Sequence, residues 1–183
     1  MSYKDTRERM LELYEKSIPL MARILKSTAH FYQFFPIGRD YGWYLEQLEK
    51  SFEYVDPIPI AWIKTRGGFT VDARWRYQPR YQPIFFCQKV YQARALKGGL
   101  ENGNVLDIGS VSEKVHVAQT PTELFELLIE QSSLPGELII DPFAGSGSSL
   151  VAAKRLRRRA MGIEIDKDNI NLIKSRIYGA DNV

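Results

Sequence analysis

The stretch from Leu138 to Asp166, LIIDPFAGSGSSLVAAKRLRRRAMGIEID, decides the fold of this chain. Its first residues, Leu138 to Ile140, are apolar and mostly β-branched, which predicts a short buried strand. Proline and two glycines then predict a tight turn, and residues 149–156 have a helical pattern. A second apolar run, residues 161–165, predicts another strand. Strand, glycine turn, helix and strand in this order are typical of a nucleotide-binding βαβ unit.

The turn of this unit has the chemistry of a ligand site. Gly145 and Gly147 lack a Cβ, so a ligand can approach the backbone closely. A helix that begins near Ser148 offers N–H groups and a positive dipole end to an anion such as a carboxylate. Glu164 follows Gly147 by 17 residues, where its carboxylate can accept hydrogen bonds from ribose hydroxyls. A NAD fingerprint would have glycine at the position of Leu150, so a dinucleotide site is not predicted.

Together, DPFAGSGSS and GIEID resemble the S-adenosylmethionine site of bacterial and phage DNA methyltransferases that act on adenine N6 or cytosine N4. That family carries DPF-x-GSGT followed by GIE. The resemblance implies that Phe143, Gly145 and Gly147 border the cofactor, that Asp141 supports the loop, and that Glu164 holds the ribose. An imperfect match of residues 116–121 to the family's HP-x-x-KP segment adds Thr120. The implied cofactor residues are Asp141, Pro142, Phe143, Gly145, Ser146, Gly147, Ser148, Glu164 and Thr120.

Two residues depart from the family pattern in this region. Ser148 stands where threonine is usual, which is a mild change. Arg157 stands where many members have a glycine that ends the helix. If that position is left-handed, we expect Arg157 to cost about 1 kcal/mol or more.

The resemblance extends from about residue 5 to residue 177. It implies an α/β fold of the S-adenosylmethionine-dependent methyltransferase (Rossmann-like) type, with a mixed sheet, helices on both faces and some strands upstream of residue 1 missing. We expect one partial domain over residues 1–183, with loop insertions at 64–82 and 98–115.

The family's catalytic DPPY motif is not found in this sequence, which has no two adjacent prolines. Residues 56–59, DPIP, resemble it only superficially, and we interpret them as a turn. We therefore assign no catalytic residue in this chain. Without the motif strand, three outcomes are open: a separately encoded upstream half completes the sheet, the chain is a truncated remnant, or the flanking strands pair directly.

Residues 64–97 form a basic stretch in which aromatic residues are interleaved. Cations bind phosphates and flat rings stack on exposed bases, so the stretch suits DNA. A solvated loop explains the residue types equally well, and the family resemblance favours DNA contact. The candidate nucleic-acid residues are Lys64, Arg66, Arg74, Arg76 and Arg80.

Composition limits the remaining function classes. The chain has 183 residues, a net charge of +3 and a pI near 8.9, which permits a nucleic-acid partner without requiring one. Its single cysteine, Cys87, excludes an intrachain disulfide and a CxxC metal site, and an apolar neighbourhood predicts a buried thiol. His116 has no second histidine or cysteine near it, so it is not interpreted as a metal ligand and no metal is expected. The absence of a signal or membrane-spanning run predicts a cytoplasmic protein without a membrane partner.

Local patterns give three further expectations. The apolar periodicity of residues 5–25 predicts a helix that Pro19 kinks or breaks near Ser17. Thr120 and Glu123 form a capping-box pattern at the start of another helix. The cations from Lys154 to Arg159 are interpreted as a solvated helix end rather than a DNA contact.

These observations favour the C-terminal part, or a split subunit, of a site-specific DNA amino-methyltransferase of the phage or restriction-modification type. Such a part would keep the cofactor site and would be inactive alone. The alternative is a catalytically inactive DNA- or partner-binding remnant. The choice between adenine and cytosine stays open.

Overall fold

The computed structural model describes residues 6–35, 38–64, 74–75, 77–109 and 120–179. The chain divides into two compact units, which are taken separately. The first comprises Met1–Trp62, Tyr81–Ala95 and Asn104–Leu106, and the second contains the remainder. The expectation of one domain over residues 1–183 stays a prediction.

The first unit is built on a mixed sheet. Its elements are α1 (Arg7–Ile24), β1 (His30–Phe34), α2 (Tyr41–Glu49), β2 (Tyr54–Val55), β3 (Ile60–Ile63), β4 (Tyr81–Gln88) and β5 (Val105–Leu106). The strand order is β1-β4-β3-β5, and β2 also pairs with β4. Strand β4 is antiparallel to β1 and β2, whereas β3 and β5 are parallel.

Aromatic and aliphatic side chains from both helices and the sheet form the core of this unit. Phe35 stacks on Phe85 with ring centroids 4.1 Å apart, and Ile18, Tyr44 and Cys87 are completely buried beside them. The buried Tyr44 hydroxyl has no hydrogen-bond partner among the described residues. Burial raises the pKa of Tyr44 to about 12. The expected burial of Cys87 is confirmed.

Helix α1 is continuous from Arg7 to Ile24, so a break near Ser17, one of the two outcomes expected from Pro19, is wrong. A kink near Ser17 stays a prediction. Residues on both sides of the proline, Ile18 and Ala22, are buried in the same core. A break would turn one of them away, and their combined burial offsets the backbone hydrogen bond that proline removes. The helix begins after Thr6, whose side chain accepts a hydrogen bond from the Arg9 N–H at 3.3 Å.

Residues 56–59 form a local turn, as predicted from their sequence. The Asp56 carboxylate accepts a hydrogen bond from the Ile58 N–H at 3.0 Å, which is the bond that defines an Asx turn. The Asp56 side chain therefore has a local structural role.

The second unit contains the βαβ segment. Its elements are a 3-10 turn (Gly99–Glu101), α3 (Thr122–Ser132), β6 (Leu138–Asp141), α4 (Ser148–Arg155), β7 (Arg159–Gly162) and α5 (Lys167–Tyr178). Strands β6 and β7 are parallel, with Leu138 opposite Arg159 and Asp141 opposite Gly162. Both strands thus end at the same edge, the usual ligand edge of an open α/β sheet.

The strands of this unit are less buried than their sequence predicts. All four residues of β7 are exposed, and Leu138 of β6 is 42% exposed. Strand β7 ends at Gly162 and not at Ile165, whose side chain is 83% exposed. In the part of the chain that the structure describes, β6 pairs with β7 alone. Apolar runs of this kind are typical of strands covered on both faces, and here the cover is incomplete.

The capping box predicted at Thr120 is also wrong. Helix α3 begins at Thr122, and its N-cap residue is Pro121, which makes no side-chain cap. Pro121 has φ −56° and ψ 138°, an extended conformation. A capping box at Thr120 needs a helical residue at 121, so the extended proline excludes it. Among the described helices of both units, none has the length and apolar character needed to cross a bilayer.

Candidate functional site

The glycine loop between β6 and α4 is closed at its base by one carboxylate. Asp141 accepts a hydrogen bond from the Phe143 N–H at 3.0 Å and another from the Ser149 hydroxyl. These bonds connect the end of β6 to the second residue of α4. The Asp141 side chain thereby fixes the separation of strand and helix across the loop.

The two glycines of the loop have different surroundings. Gly145 has φ +51° and Gly147 has φ +77°, a region that favours glycine. A Cβ at Gly145 would meet only the Phe143 carbonyl oxygen, at 3.9 Å. A Cβ at Gly147 would lie 2.8 Å from Ile173 Cγ1. Space for a ligand is therefore left at Gly145, whereas at Gly147 the close neighbour is the chain's own helix α5.

Glu164 lies just beyond β7 and faces the loop. One carboxylate oxygen accepts a hydrogen bond from the Gly145 N–H at 2.7 Å. The other accepts from the Ile165 and Asp166 N–H groups, both at 2.8 Å. A carboxylate offers about four acceptor positions. A further donor could use the remaining position or replace the Gly145 N–H.

The other predicted cofactor residues differ in accessibility. Ser146 and Ser148 are buried, with hydroxyl oxygens 3.4 Å apart, so any outward contact from them would come from their backbone. Phe143 is 45% exposed, and Pro142 and Thr120 are half-buried. The role of each as a cofactor contact stays a prediction.

Arg176 lies in α5, and its side chain contacts the glycine loop, which the sequence did not predict. Its guanidinium donates to the Ser146 carbonyl, to the Ser148 hydroxyl at 3.3 Å and to the Thr122 hydroxyl at 3.4 Å. Burial, and then repulsion by Arg155, lowers the pKa of Arg176. The only signal in the sequence is the spacing of residues 172, 173 and 176, which shares one helix face.

The cations in the last turn of α4 and directly after it contact neighbouring segments of the chain. Lys154 donates to the Ile177 carbonyl at 2.6 Å, and Arg155 pairs with Glu126 at 2.9 Å. Arg158 donates to the Ser133 carbonyl at 2.6 Å, and Arg159 to the Gly136 carbonyl at 3.1 Å. The predicted solvated helix end therefore describes these cations incompletely, because their side chains also bond to neighbouring segments of the chain.

The first part of the basic stretch, residues 64–80, is a loop whose two ends are joined by one backbone hydrogen bond. The Lys64 N–H donates to the Arg80 carbonyl at 2.7 Å, which brings the two ends of the segment together. Within the loop, Trp75 is 80% and Tyr77 fully exposed, and Arg74 and Arg80 are exposed. Arg66 and Arg76 lie outside the described residues. Contact of this loop with DNA stays a prediction.

The described ranges contain no candidate metal site. No group of three or more His, Cys, Asp or Glu side chains there is placed to hold a metal ion. His116, the histidine considered in the sequence, lies outside those ranges.

Comparison with known proteins gives a family match and several relatives. The profile of a family described as DNA methylase, of the N6/N4 type, matches residues 1–175. The chain is 30% identical over 147 residues to the type II methyltransferase M.HindIII of Haemophilus influenzae, covering 63% of this chain and 48% of the relative. It is 29% identical over 178 residues to M.HpaI of Haemophilus parainfluenzae, covering 85% and 55%. The chain spans about half the length of these curated relatives.

Solved structures are similar in fold. PvuII DNA methyltransferase, described as cytosine-N4-specific, matches with a TM-score of 0.82 and 15% identity, covering 100% of this chain and 76% of that protein. A complex of M1.HpyAVI with S-adenosylmethionine matches with a TM-score of 0.71 and 22% identity, covering 88% and 81%.

Proposed function

The chain belongs to the N6/N4 DNA methylase family, and on that premise we propose that it is the part of a site-specific DNA amino-methyltransferase that binds S-adenosylmethionine. The predicted fold class, an α/β methyltransferase with a mixed sheet, is confirmed by the structural likenesses. The observation that carries the proposal is the pairing of Glu164 with Gly145 at the edge where β6 and β7 end.

The residues at this edge fit the proposed cofactor. Gly145 leaves space for an approaching group, and the half-exposed ring of Phe143 offers an apolar surface. The Glu164 carboxylate has acceptor capacity for a ribose hydroxyl. When bound, S-adenosylmethionine supplies an electrophilic methyl group on a sulfonium. The contribution of this chain is to bind and orient that donor.

Catalysis is proposed to need groups that this sequence lacks. The family resemblance places hydrogen-bond acceptors for the target amino group, and a ring that stacks on the flipped base, in the DPPY motif. The edge of β6 that is unpaired among the described strands has room for a further strand, which in the proposed split enzyme comes from the upstream half that carries the motif. In that arrangement the chain alone transfers no methyl group.

DNA is the proposed macromolecular partner. The loop closed by Lys64 and Arg80 carries exposed cations for phosphate contacts. Trp75 and Tyr77 present exposed rings beside them, which suits stacking on an unpaired base. The target base and the recognised sequence are not part of the proposal.

One observation favours the second candidate, an inactive remnant that binds DNA or a protein. Three backbone N–H groups already occupy Glu164, and Ile173 covers Gly147. Because these groups already have partners within the chain, the loop can keep its conformation without a ligand. The two candidates differ in whether the methyl donor binds.

Titration calorimetry with S-adenosylhomocysteine tests the proposal. We expect binding by the unaltered chain, and a rise in Kd of about 10- to 100-fold for Glu164→Ala, the effect of losing one or two hydrogen bonds to a charged group. Glu101→Ala is the matched control, because Glu101 is exposed in the 3-10 turn and its loss should leave Kd unchanged. Equal affinity of Glu164→Ala and the unaltered chain would remove Glu164 from the site.

A transfer assay with tritiated S-adenosylmethionine and DNA separates the split enzyme from the remnant. The chain alone should give background counts, and addition of a polypeptide carrying the upstream DPPY half should restore transfer. Counts that stay at background in the mixture, with donor binding absent, would favour the remnant. Transfer by the chain alone would show that catalytic groups lie within these 183 residues.

A further inference from the structure

The guanidinium of Arg176 joins the middle of the glycine loop to the start of another helix. Its three acceptors are the Ser146 carbonyl, the Ser148 hydroxyl and the Thr122 hydroxyl, on residues that are all buried. Thr122 is the first residue of α3. A side chain of α5 thus reaches two segments that precede it by 28 to 54 positions.

The bond to the Ser146 carbonyl fixes one peptide plane of the loop. The Ser146–Gly147 peptide presents its carbonyl to Arg176 and its N–H to the Ala144 carbonyl, at 2.7 Å. Both polar groups of this peptide are therefore occupied. Gly147 is the N-cap residue of α4, so the orientation of this plane also sets how that helix begins. Without the guanidinium, the glycine at position 147 would let the plane rotate at a lower cost than a residue with a Cβ would.

Packing of α5 against its neighbours does not by itself explain why residue 176 carries a charge. All three acceptors are neutral oxygens, and a second cation, Arg155, repels the guanidinium. A half-buried cation beside the positive end of a helix is unfavourable for stability. An uncharged side chain of similar length would fill the same space, so the guanidinium is expected to serve the loop.

We infer that Arg176 is a positioning residue for the cofactor site: it holds the Ser146–Gly147 peptide so that the loop presents one backbone conformation to the methyl donor. The inference rests on the proposed function, because the loop's ligand is taken to be S-adenosylmethionine. Arg176 itself is not assigned a contact with the donor.

The test compares Arg176→Met with Arg176→Lys and with Lys174→Met, a matched control. Lys174 lies on the same helix, is exposed, and loses the same charge. Amide hydrogen exchange of Gly147 is measured without ligand, with the Leu128 amide in the buried face of α3 as the internal reference. Titration calorimetry with S-adenosylhomocysteine then gives Kd.

For Arg176→Met we expect faster exchange at Gly147, unchanged exchange at Leu128, and a rise in Kd of about tenfold, the equivalent of one lost charge-assisted hydrogen bond. Arg176→Lys should restore part of both effects, and Lys174→Met should show neither.

Two results would overturn the inference. One is an Arg176→Met chain with unaltered exchange and unaltered Kd. The other is exchange that rises equally at Gly147 and Leu128, which would indicate a role in global stability only. A different failure belongs to the proposed function: the unaltered chain binds no S-adenosylhomocysteine although exchange at Gly147 still depends on Arg176.

Discussion

Replacement of Arg157 by glycine should stabilise this chain. Arg157 follows α4 with φ +61°, and two hydrogen bonds surround it. The Arg157 N–H donates to the Lys154 carbonyl at 3.0 Å, and the Arg158 N–H to the Ala153 carbonyl at 2.8 Å. This pair of bonds defines a Schellman motif, whose left-handed residue is most often glycine. The left-handed position that the family pattern suggested is thereby confirmed.

The magnitude follows from two opposing terms. A left-handed conformation costs an L residue about 1–2 kcal/mol, whereas glycine adds unfolded-state entropy of about 0.5–1 kcal/mol. The Arg157 side chain is exposed, so its removal contributes little. We expect a net gain of about 0.5–1 kcal/mol, which for a chain of this size raises Tm by about 1–4 °C.

Urea denaturation of the unaltered chain, Arg157→Gly and Arg157→Ala measures this effect. Arg157→Ala is the control, because it removes the same side chain and keeps the strained Cβ. Arg157→Gly should exceed Arg157→Ala in free energy of unfolding by about 1 kcal/mol. If the two variants are equally stable, the left-handed backbone carries no strain and the reasoning is refuted.

Three further predictions concern other parts of the chain. Burial lowers the pKa of His30, so on acidification the imidazole takes up a proton in the unfolded chain before it does so in the folded chain. The free energy of unfolding therefore falls as pH drops below about 6.5. His30→Gln, which retains His116, should flatten the change in Tm between pH 7 and 5.5. Burial raises the pKa of Cys87, so a thiol reagent should label it only after unfolding, and labelling of the native chain would contradict this. Asp141→Ala should cost about 2–3 kcal/mol, and a double-mutant cycle with Ser149→Ala should be non-additive, since strict additivity would deny their hydrogen bond.

The local features of the site could be predicted because neighbouring residues encode them. Proline and glycine restrict the backbone within a few positions, so the loop after β6 was found from residues 141–148. The same reasoning found the turn at Asp56, where a side chain bonds a backbone group two residues on. Arg157 became a candidate for the left-handed region through the family resemblance, because many members have glycine at its position.

Local patterns failed where a competing contact came from a distant segment. The proline in α1 was expected to kink or break the helix near Ser17, and burial of Ile18 and Ala22 in one core kept the helix continuous. The capping box at Thr120 was plausible from residue types, and the extended backbone of Pro121 excluded it. Strand β7 was predicted to include Ile163 and Ile165, and it ends before them.

The sequence by itself determined the order of strand, glycine turn and helix, and the acidic residue that follows, because these depend on backbone preferences and on periodic burial. Only the tertiary structure decided which groups the loop contacts. Ile173 lies against Gly147, Glu164 accepts from Gly145, and Arg176 holds the Ser146 carbonyl. Each of these contacts joins residues that packing of α5 and β7 brings together, and no pattern within a few positions specifies such a distance.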